Sequence, residues 1–342
     1  MIVGTPWVRG GKAAAEVGKA AAEEANVVRS RRMLRWVPAA LLSTVCVGTY
    51  SSVLLLTLLP TAGLAAPFGT DAALDVSAIG AWIALASYHI IWCLATLAAV
   101  ITARTPPGHI PLWLYSREPG DQAYFHNVLQ AVEKKLDGSL RFCRKCGAFK
   151  PDLAHHSKEL GSCILCYQHW DLWCNNAVGF YNYKAYLLSL LYGSLAHAAS
   201  LILLLPGVIR ALPHADPLAL SATLWTGGDS SLHTFAWLGV LASALLGGSS
   251  FAWLLFHVHL IAHGQTAHSF SRQSGLVGAK PPKPRHARQS PFDFGLRGNL
   301  SRACGRQPLL WLLPTNQGVE GNGIFFETNV SSEGFGRYTP HG

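Results

Sequence analysis

The chain has 342 residues, half of them hydrophobic and only 13% charged, with a formal net charge of +9 and a mean hydropathy of +0.25. That balance is unusual for a soluble globular protein and predicts membrane spans. The placement of the positive charge says more than its size.

Residues 1–35 are Ala-rich and charged. GKAAAEVGKAAAEEA contains good helix formers but no apolar face wide enough for a core. The basic run Arg29, Arg31, Arg32, Arg35 abuts the first apolar segment. That segment starts too late and runs too long for a cleavable signal peptide. Four apolar segments follow, near Trp36–Leu59, Ser77–Ala103, Ala185–Leu205 and Phe235–Ile261. Each reaches the roughly 20 residues needed to cross a bilayer. Gly193 in the third and Gly247-Gly248 in the fourth suggest close helix packing. His89, His197, His257 and His259 fall within or near the spans; a neutral imidazole facing another helix is the plain reading of each.

Lys and Arg set the orientation. Residues 1–35 carry seven, the loop 104–184 carries ten and the tail 262–342 carries nine, leaving only Arg210 for the connections 60–76 and 206–234. Both termini and the large loop are therefore expected in the cytosol.

Within that loop, Phe142 to Tyr183 holds five of the eight cysteines. Cys143-x2-Cys146 and Cys163-x2-Cys166 are spaced to close one tetrahedral zinc site, with His156 competing as a ligand. Thiolates are soft ligands and suit zinc, and a reducing compartment argues against disulfides. Cys174, His155 and His169 lie in the same stretch. Beyond the fourth span come AHGQTAHSFSRQ and a basic Pro-rich linker, KPPKPRHARQ, suited to an anionic leaflet. The apolar run from Pro308 to Leu313 is too short to span; it belongs at the interface or against the ends of the helices.

The chain resembles the DHHC protein S-acyltransferases, the palmitoyltransferases. Thr105-Pro106-Pro107-Gly108 looks like the Asp-Pro-Gly element after their second span, without its Asp. Asn176-Ala177-Val178-Gly179 with Asn182-Tyr183 resembles the end of their cysteine-rich domain. Gln265 to Ser269 is a faint trace of Thr-Thr-x-Glu. Pro291-Phe292-Asp293-Phe294-Gly295 with Asn299 and Gly305 resembles their C-terminal Pro-Tyr-Asp-x-Gly element, and Trp311 to Pro314 with Gly321 and Gly323 the tail after it. The resemblance implies an all-α polytopic membrane protein, with four transmembrane helices and a cytosolic zinc-binding cysteine-rich domain between the second and third. It divides the chain into an N-terminal segment (1–35), two helices (36–103), the zinc domain (104–184), two helices (185–261) and a cytosolic tail (262–342). It implies palmitoyl-CoA or another fatty acyl-CoA as donor and proteins with membrane-proximal cysteines as acceptors. Lipid is the expected surroundings, an endomembrane such as the Golgi or ER the expected location, and no nucleic-acid partner is expected.

The catalytic motif departs from the family. Aligned without gaps, Gln168-His169-Trp170-Asp171 occupies Asp-His-His-Cys. His169 keeps the general-base position and Asp171 replaces the nucleophile. The first zinc site survives as Cys143, Cys146, His156 and Cys163. The ligand positions of the second hold Ser157, Leu160, Trp170 and Ala177. A gapped register makes Cys166 the last zinc ligand and Cys174 the nucleophile. If residues 168–175 are helical, Asp171 and Cys174 share one face, and Cys174 can enter the catalytic space. Two functions follow: an S-acyltransferase using Cys174 with His169 and Asp171, or an impaired family member acting as a membrane scaffold or regulatory partner.

Overall fold

The computed structural model describes residues 35–59, 78–115, 122–135, 137–211, 229–273, 290–315, 319 and 321–329. The Ala-rich N-terminal segment, the connection 60–76, most of the connection 206–234 and the basic Pro-rich linker lie outside these residues.

Among the described residues, four helices are long and apolar enough to cross a membrane: Val37–Leu58, Ile79–Arg104, Tyr183–Ile209 and Thr234–Ala262. They belong to α1 (Val37–Val53, extended by a π-helical turn, Leu54–Leu58), α2 (Ala78–Arg104), α4 (Tyr183–Ala211) and α5 (Asp229–Ala262). The short α3 (Gln122–Leu129) follows α2. Runs of apolar residues satisfy their own backbone only as helices when no water is present, which is why these segments form nothing else. α4 packs along both α2 and α5, and α1 lies against α5. Tyr88, Val53, Leu204 and Val240 form one shared core; Ala95, Ala98, Leu188 and Tyr192 form the α2–α4 seam. Outward, Ile83, Ile202 and Leu245 stay more than 60% exposed, as lipid-facing side chains should. Of the small residues marked in the sequence, Gly247 makes the close contact: a Cβ there would sit 2.8 Å from His197 Cβ, while Gly193 and Gly248 meet nothing within 4 Å.

The cysteine-rich domain between α2 and α4 is built from three antiparallel hairpins. They are β1–β2 (Phe142–Cys143, Ala148–Phe149), β3–β4 (His155–Ser157, Ser162–Ile164) and β5–β6 (His169–Asp171, Asn176–Val178). Residues 168–175 are thus strand and turn, not the helix that would have placed Asp171 and Cys174 on one face. The reason is local: Asp171 pairs with Asn176 across the hairpin, and Asn175 takes a left-handed conformation (φ 47°) in the turn that Asn tolerates. Phe125, Leu114, Leu140 and Phe149 fill the domain's core, with the Phe125 and Phe149 rings 4.6 Å apart.

Two asparagines fasten this domain to the membrane helices. The last carbonyls of any helix lack intrahelical partners. The Asn176 amide donates to the carbonyls of Thr102, Ala103 and Thr105 at 2.9–3.2 Å. The Asn182 amide donates to Thr102 and Ala177, and its oxygen accepts the Gly179 N–H. Gly179 has no room for a side chain, since a Cβ would lie 2.5 Å from the Pro107 carbonyl. At the end of α5 the Asn299 amide reaches the Ala262 carbonyl at 3.4 Å, from α7 (Gly295–Cys304). The α6 helix (Ala267–Gln273) follows α5 directly.

Candidate active site and metal centre

The first two hairpins bring four metal-ligating atoms together. Cys143 and Cys146 sit at the β1–β2 turn, and His156 and Cys163 are cross-strand partners in β3–β4. All four donor atoms lie within 4.8 Å of one another. His156 Nδ1 is 3.6 Å from Cys143 Sγ, 3.2 Å from Cys146 Sγ and 4.0 Å from Cys163 Sγ. A tetrahedron with bonds of about 2.0–2.3 Å has edges of about 3.3–3.8 Å, so the set fits a four-coordinate ion. Cys166 is not part of it. Its thiol lines a separate cavity with Leu153, Tyr183, Ile261 and Phe292, where burial pushes its pKa up to about 12.

The places that would complete a second metal site carry no ligands and are packed instead. Trp170 and Ala177 are cross-strand partners and close over Ile164 and Tyr167. The Arg35 guanidinium lies 5.8 Å from the centre of the Trp170 ring. Ser157 Oγ is turned inward to Glu159 and the Leu160 N–H.

The third hairpin sets Gln168, His169, Asp171 and Cys174 against the ends of α4 and α5. Gln168 Oε1 accepts the N–H of Ala267 at 2.9 Å, the first residue of α6. The His155 and His268 rings, 3.6 Å apart, hold β3 to the same helix. The segment that faintly resembled Thr-Thr-x-Glu therefore contacts the Gln168–Asp171 stretch. The β-turn returns Cys174 to Asp171, whose Oδ1 accepts the Cys174 N–H at 2.7 Å. Burial raises the Cys174 thiol well above its ordinary range, and the Asp171 charge adds to that. Burial also works against the Asp171 carboxylate. His169 and the Cys174 N–H outweigh it, and the carboxyl ends below its ordinary value. His169 Nε2 lies 3.8 Å from Asp171 Oδ2, beyond hydrogen-bonding distance.

Neither His169 ring nitrogen has a hydrogen-bond partner. The imidazole is enclosed by Tyr186, Trp253 and His257, with ring centroids 5.3, 5.6 and 5.5 Å away. Trp253 Nε1 donates to the Tyr186 hydroxyl at 2.6 Å, and His257 Nδ1 pairs with the Tyr183 hydroxyl at 3.0 Å. Sequence reading took His257 as an isolated span histidine and passed over Tyr186 and Trp253. The available signal was spacing: Trp253 and His257 are four apart, and Tyr183 and Tyr186 three apart, at the span ends flanking the motif. Chemically, this pocket places a cysteine, a carboxylate and an imidazole side by side.

Residues 137–274 match the model of the DHHC palmitoyltransferase family. Probable protein S-acyltransferase 16 of Arabidopsis thaliana is 29% identical over 66% of this chain and 73% of its own length. Palmitoyltransferase ZDHHC15A of Danio rerio is 28% identical over 65% of this chain and 64% of its own length. Palmitoyltransferase ZDHHC2 of Homo sapiens is 29% identical over 63% of this chain, which spans only 55% of that relative.

Proposed function

We propose that this chain, a divergent member of the DHHC palmitoyltransferase family, transfers fatty acyl groups from acyl-CoA to cysteines of proteins at the cytosolic membrane face. The observation that carries the reading is the turn that sets Cys174 on Asp171, its N–H donating to the carboxylate at 2.7 Å, with His169 3.8 Å from the same carboxylate at the membrane ends of α4 and α5. The family's motif is altered at the nucleophile, and this pair supplies a thiol next to the altered position.

The step balances as follows. The Cys174 sulfur attacks the thioester carbonyl as its proton passes to Asp171 and on to His169. The new carbon–sulfur bond forms as the bond to the CoA sulfur breaks, and the leaving CoA thiolate takes the proton. A substrate cysteine then attacks the acylated Cys174, its proton returns to the Cys174 sulfur, and the acyl group leaves with the substrate. Because burial disfavours a resting thiolate, deprotonation has to accompany attack. Asp171 is not itself the acyl carrier, since its product would be a labile anhydride.

In this reading a single zinc, held by Cys143, Cys146, His156 and Cys163, is structural. It fixes the two hairpins on which the third is aligned and supplies no step of the chemistry. Both termini and the cysteine-rich domain face the cytosol, from the Lys/Arg asymmetry, with domain boundaries near 35, 103, 184 and 261.

Incubation of the purified full-length protein with radiolabelled palmitoyl-CoA tests the function. A hydroxylamine-sensitive label on Cys174 is expected, abolished in Cys174→Ala with fold and zinc content intact. His169→Ala should slow labelling about 10²–10⁴-fold, as loss of a general base typically does. No label on the wild type would reject acyl transfer and leave a scaffold. A label that survives in Cys174→Ala would reject Cys174 as the nucleophile.

A further inference from the structure

The apolar run near the C-terminus has no part in the site just described, yet it is held in a defined place on α4. α7, which ends at Cys304, packs against α4. Eight residues later, the carbonyl of Leu312 accepts a hydrogen bond from the Tyr192 hydroxyl, nine residues beyond the first residue of α4. Nine residues of helix advance about 13 Å. The segment after α7 therefore reaches a point more than two turns along a membrane span, away from the hairpin domain.

Its backbone suits that depth. Pro308–Leu310 is a 3₁₀ turn. Leu310, Trp311, Leu313 and Thr315 donate their N–H groups to Gln307, Pro308, Leu310 and Leu313 within the loop, and Pro308 has no N–H to satisfy. Trp311 Nε1 closes the loop by donating to the Gly305 carbonyl at 2.6 Å. Each of these bonds lowers the cost of placing irregular backbone in hydrocarbon. From Gln307 to Thr315 no residue is charged. The side chains point outward: Leu309 is 92% exposed, Leu312 59% and Leu313 45%.

We propose that Pro308–Leu313 is a re-entrant membrane anchor, whose leucines occupy the acyl-chain region of the leaflet on the hairpin-domain side. The argument for lipid as occupant is continuity. The leucines extend the exposed apolar surface of α4, where Leu195 lies one turn beyond Tyr192 and is 46% exposed. A loop ending on a span residue two turns deep stands where the bilayer already is. This inference does not depend on acyl transfer and holds for a scaffold as well.

A fluorescent amino acid in place of Leu309, in the full-length protein in phosphatidylcholine vesicles, tests the proposal. The same replacement at Lys158, exposed on the β3–β4 turn, is the reference, and Leu313 is a second probe position. Expected at 309 and 313 is several-fold stronger quenching by lipid brominated in its acyl chains than at 158, and several-fold weaker quenching by aqueous iodide. Iodide quenching equal to that at 158 would place the loop in water and overturn the proposal. Quenching by neither agent would mean that protein, such as a second copy of the chain, covers the loop, and would overturn it equally.

Discussion

Two junctions in the cysteine-rich domain occupy equivalent structural roles and are held in opposite ways. Where β1–β2 meets β3–β4, four ligand atoms converge beside the domain's main apolar core. Where β3–β4 meets β5–β6, the corresponding positions are Ser157, Leu160, Trp170 and Ala177, and Trp170, Ala177, Ile164 and Tyr167 pack together. With an ion bound, the first junction would fail all at once on losing it. The second is held by graded contacts and weakens one side chain at a time.

The largest effect is expected from the metal junction. Cys143→Ser, or a strong chelator, should unfold the hairpin domain, seen as loss of protease resistance and of bound zinc. Structural zinc is worth about 10–16 kcal/mol in small domains, more than most domains have in total. The wild type should bind about one equivalent of zinc, since only one junction keeps four ligands; two equivalents would break the comparison.

A smaller loss is expected where the domain meets the membrane helices. Asn176→Ala leaves the carbonyls of Thr102, Ala103 and Thr105 without its amide and should cost about 2–3 kcal/mol. The loss should be visible as faster amide exchange in β5–β6 with zinc retained. At the apolar junction, Trp170→Ala should cost about 2 kcal/mol, below the 3–5 typical of a fully buried ring, because Trp170 is only partly buried. Zinc content should not change; its loss would show that the two junctions are one cooperative unit.

The smallest effect is on acid stability. The folded Asp171 carboxyl lies below its ordinary value. Its contribution is therefore complete above the unfolded carboxyl pKa, near 4, and is lost as pH falls through the folded value. Asp171→Asn should flatten this part of the acid-unfolding profile and leave stability at neutral pH less dependent on protons. An unchanged acid limb would mean that Asp171 is not held as an ion.

The four spans were legible because their composition leaves no alternative to helix. The third helix is longer than the apolar count suggested: it starts at Tyr183 and continues past Pro206, which a membrane helix tolerates. Spacing alone pointed to Cys143, Cys146, Cys163 and Cys166 with His156 as a competitor. Only the family resemblance picked the set Cys143, Cys146, His156 and Cys163 that the hairpins bring together. The β3–β4 pairing that puts His156 opposite Cys163 is not visible in a Cys-x2-Cys count. Nor could the turn at 172–175 be read from spacing, because Asp-x-x-Cys fits a helical face and a tight turn equally well. Only the pairing of Asp171 with Asn176 decides between them. The enclosure of His169 by Tyr186, Trp253 and His257 was invisible for a different reason: up to 88 residues separate the ring from its neighbours, and no local pattern links a hairpin to the ends of two spans.

The asparagine tethers also set an order of assembly during synthesis. The end of α2 emerges with the carbonyls of Thr102, Ala103 and Thr105 still open, and Asn176 follows only about seventy residues later. The metal hairpins lie between and need nothing from the membrane, so they can close first and shorten the loop that remains to be joined. The third hairpin is then completed on a helix end that must already be in the bilayer. Maturation of the pocket is thereby tied to insertion of the second span, and a chain that fails to insert keeps its thiol out of the pocket.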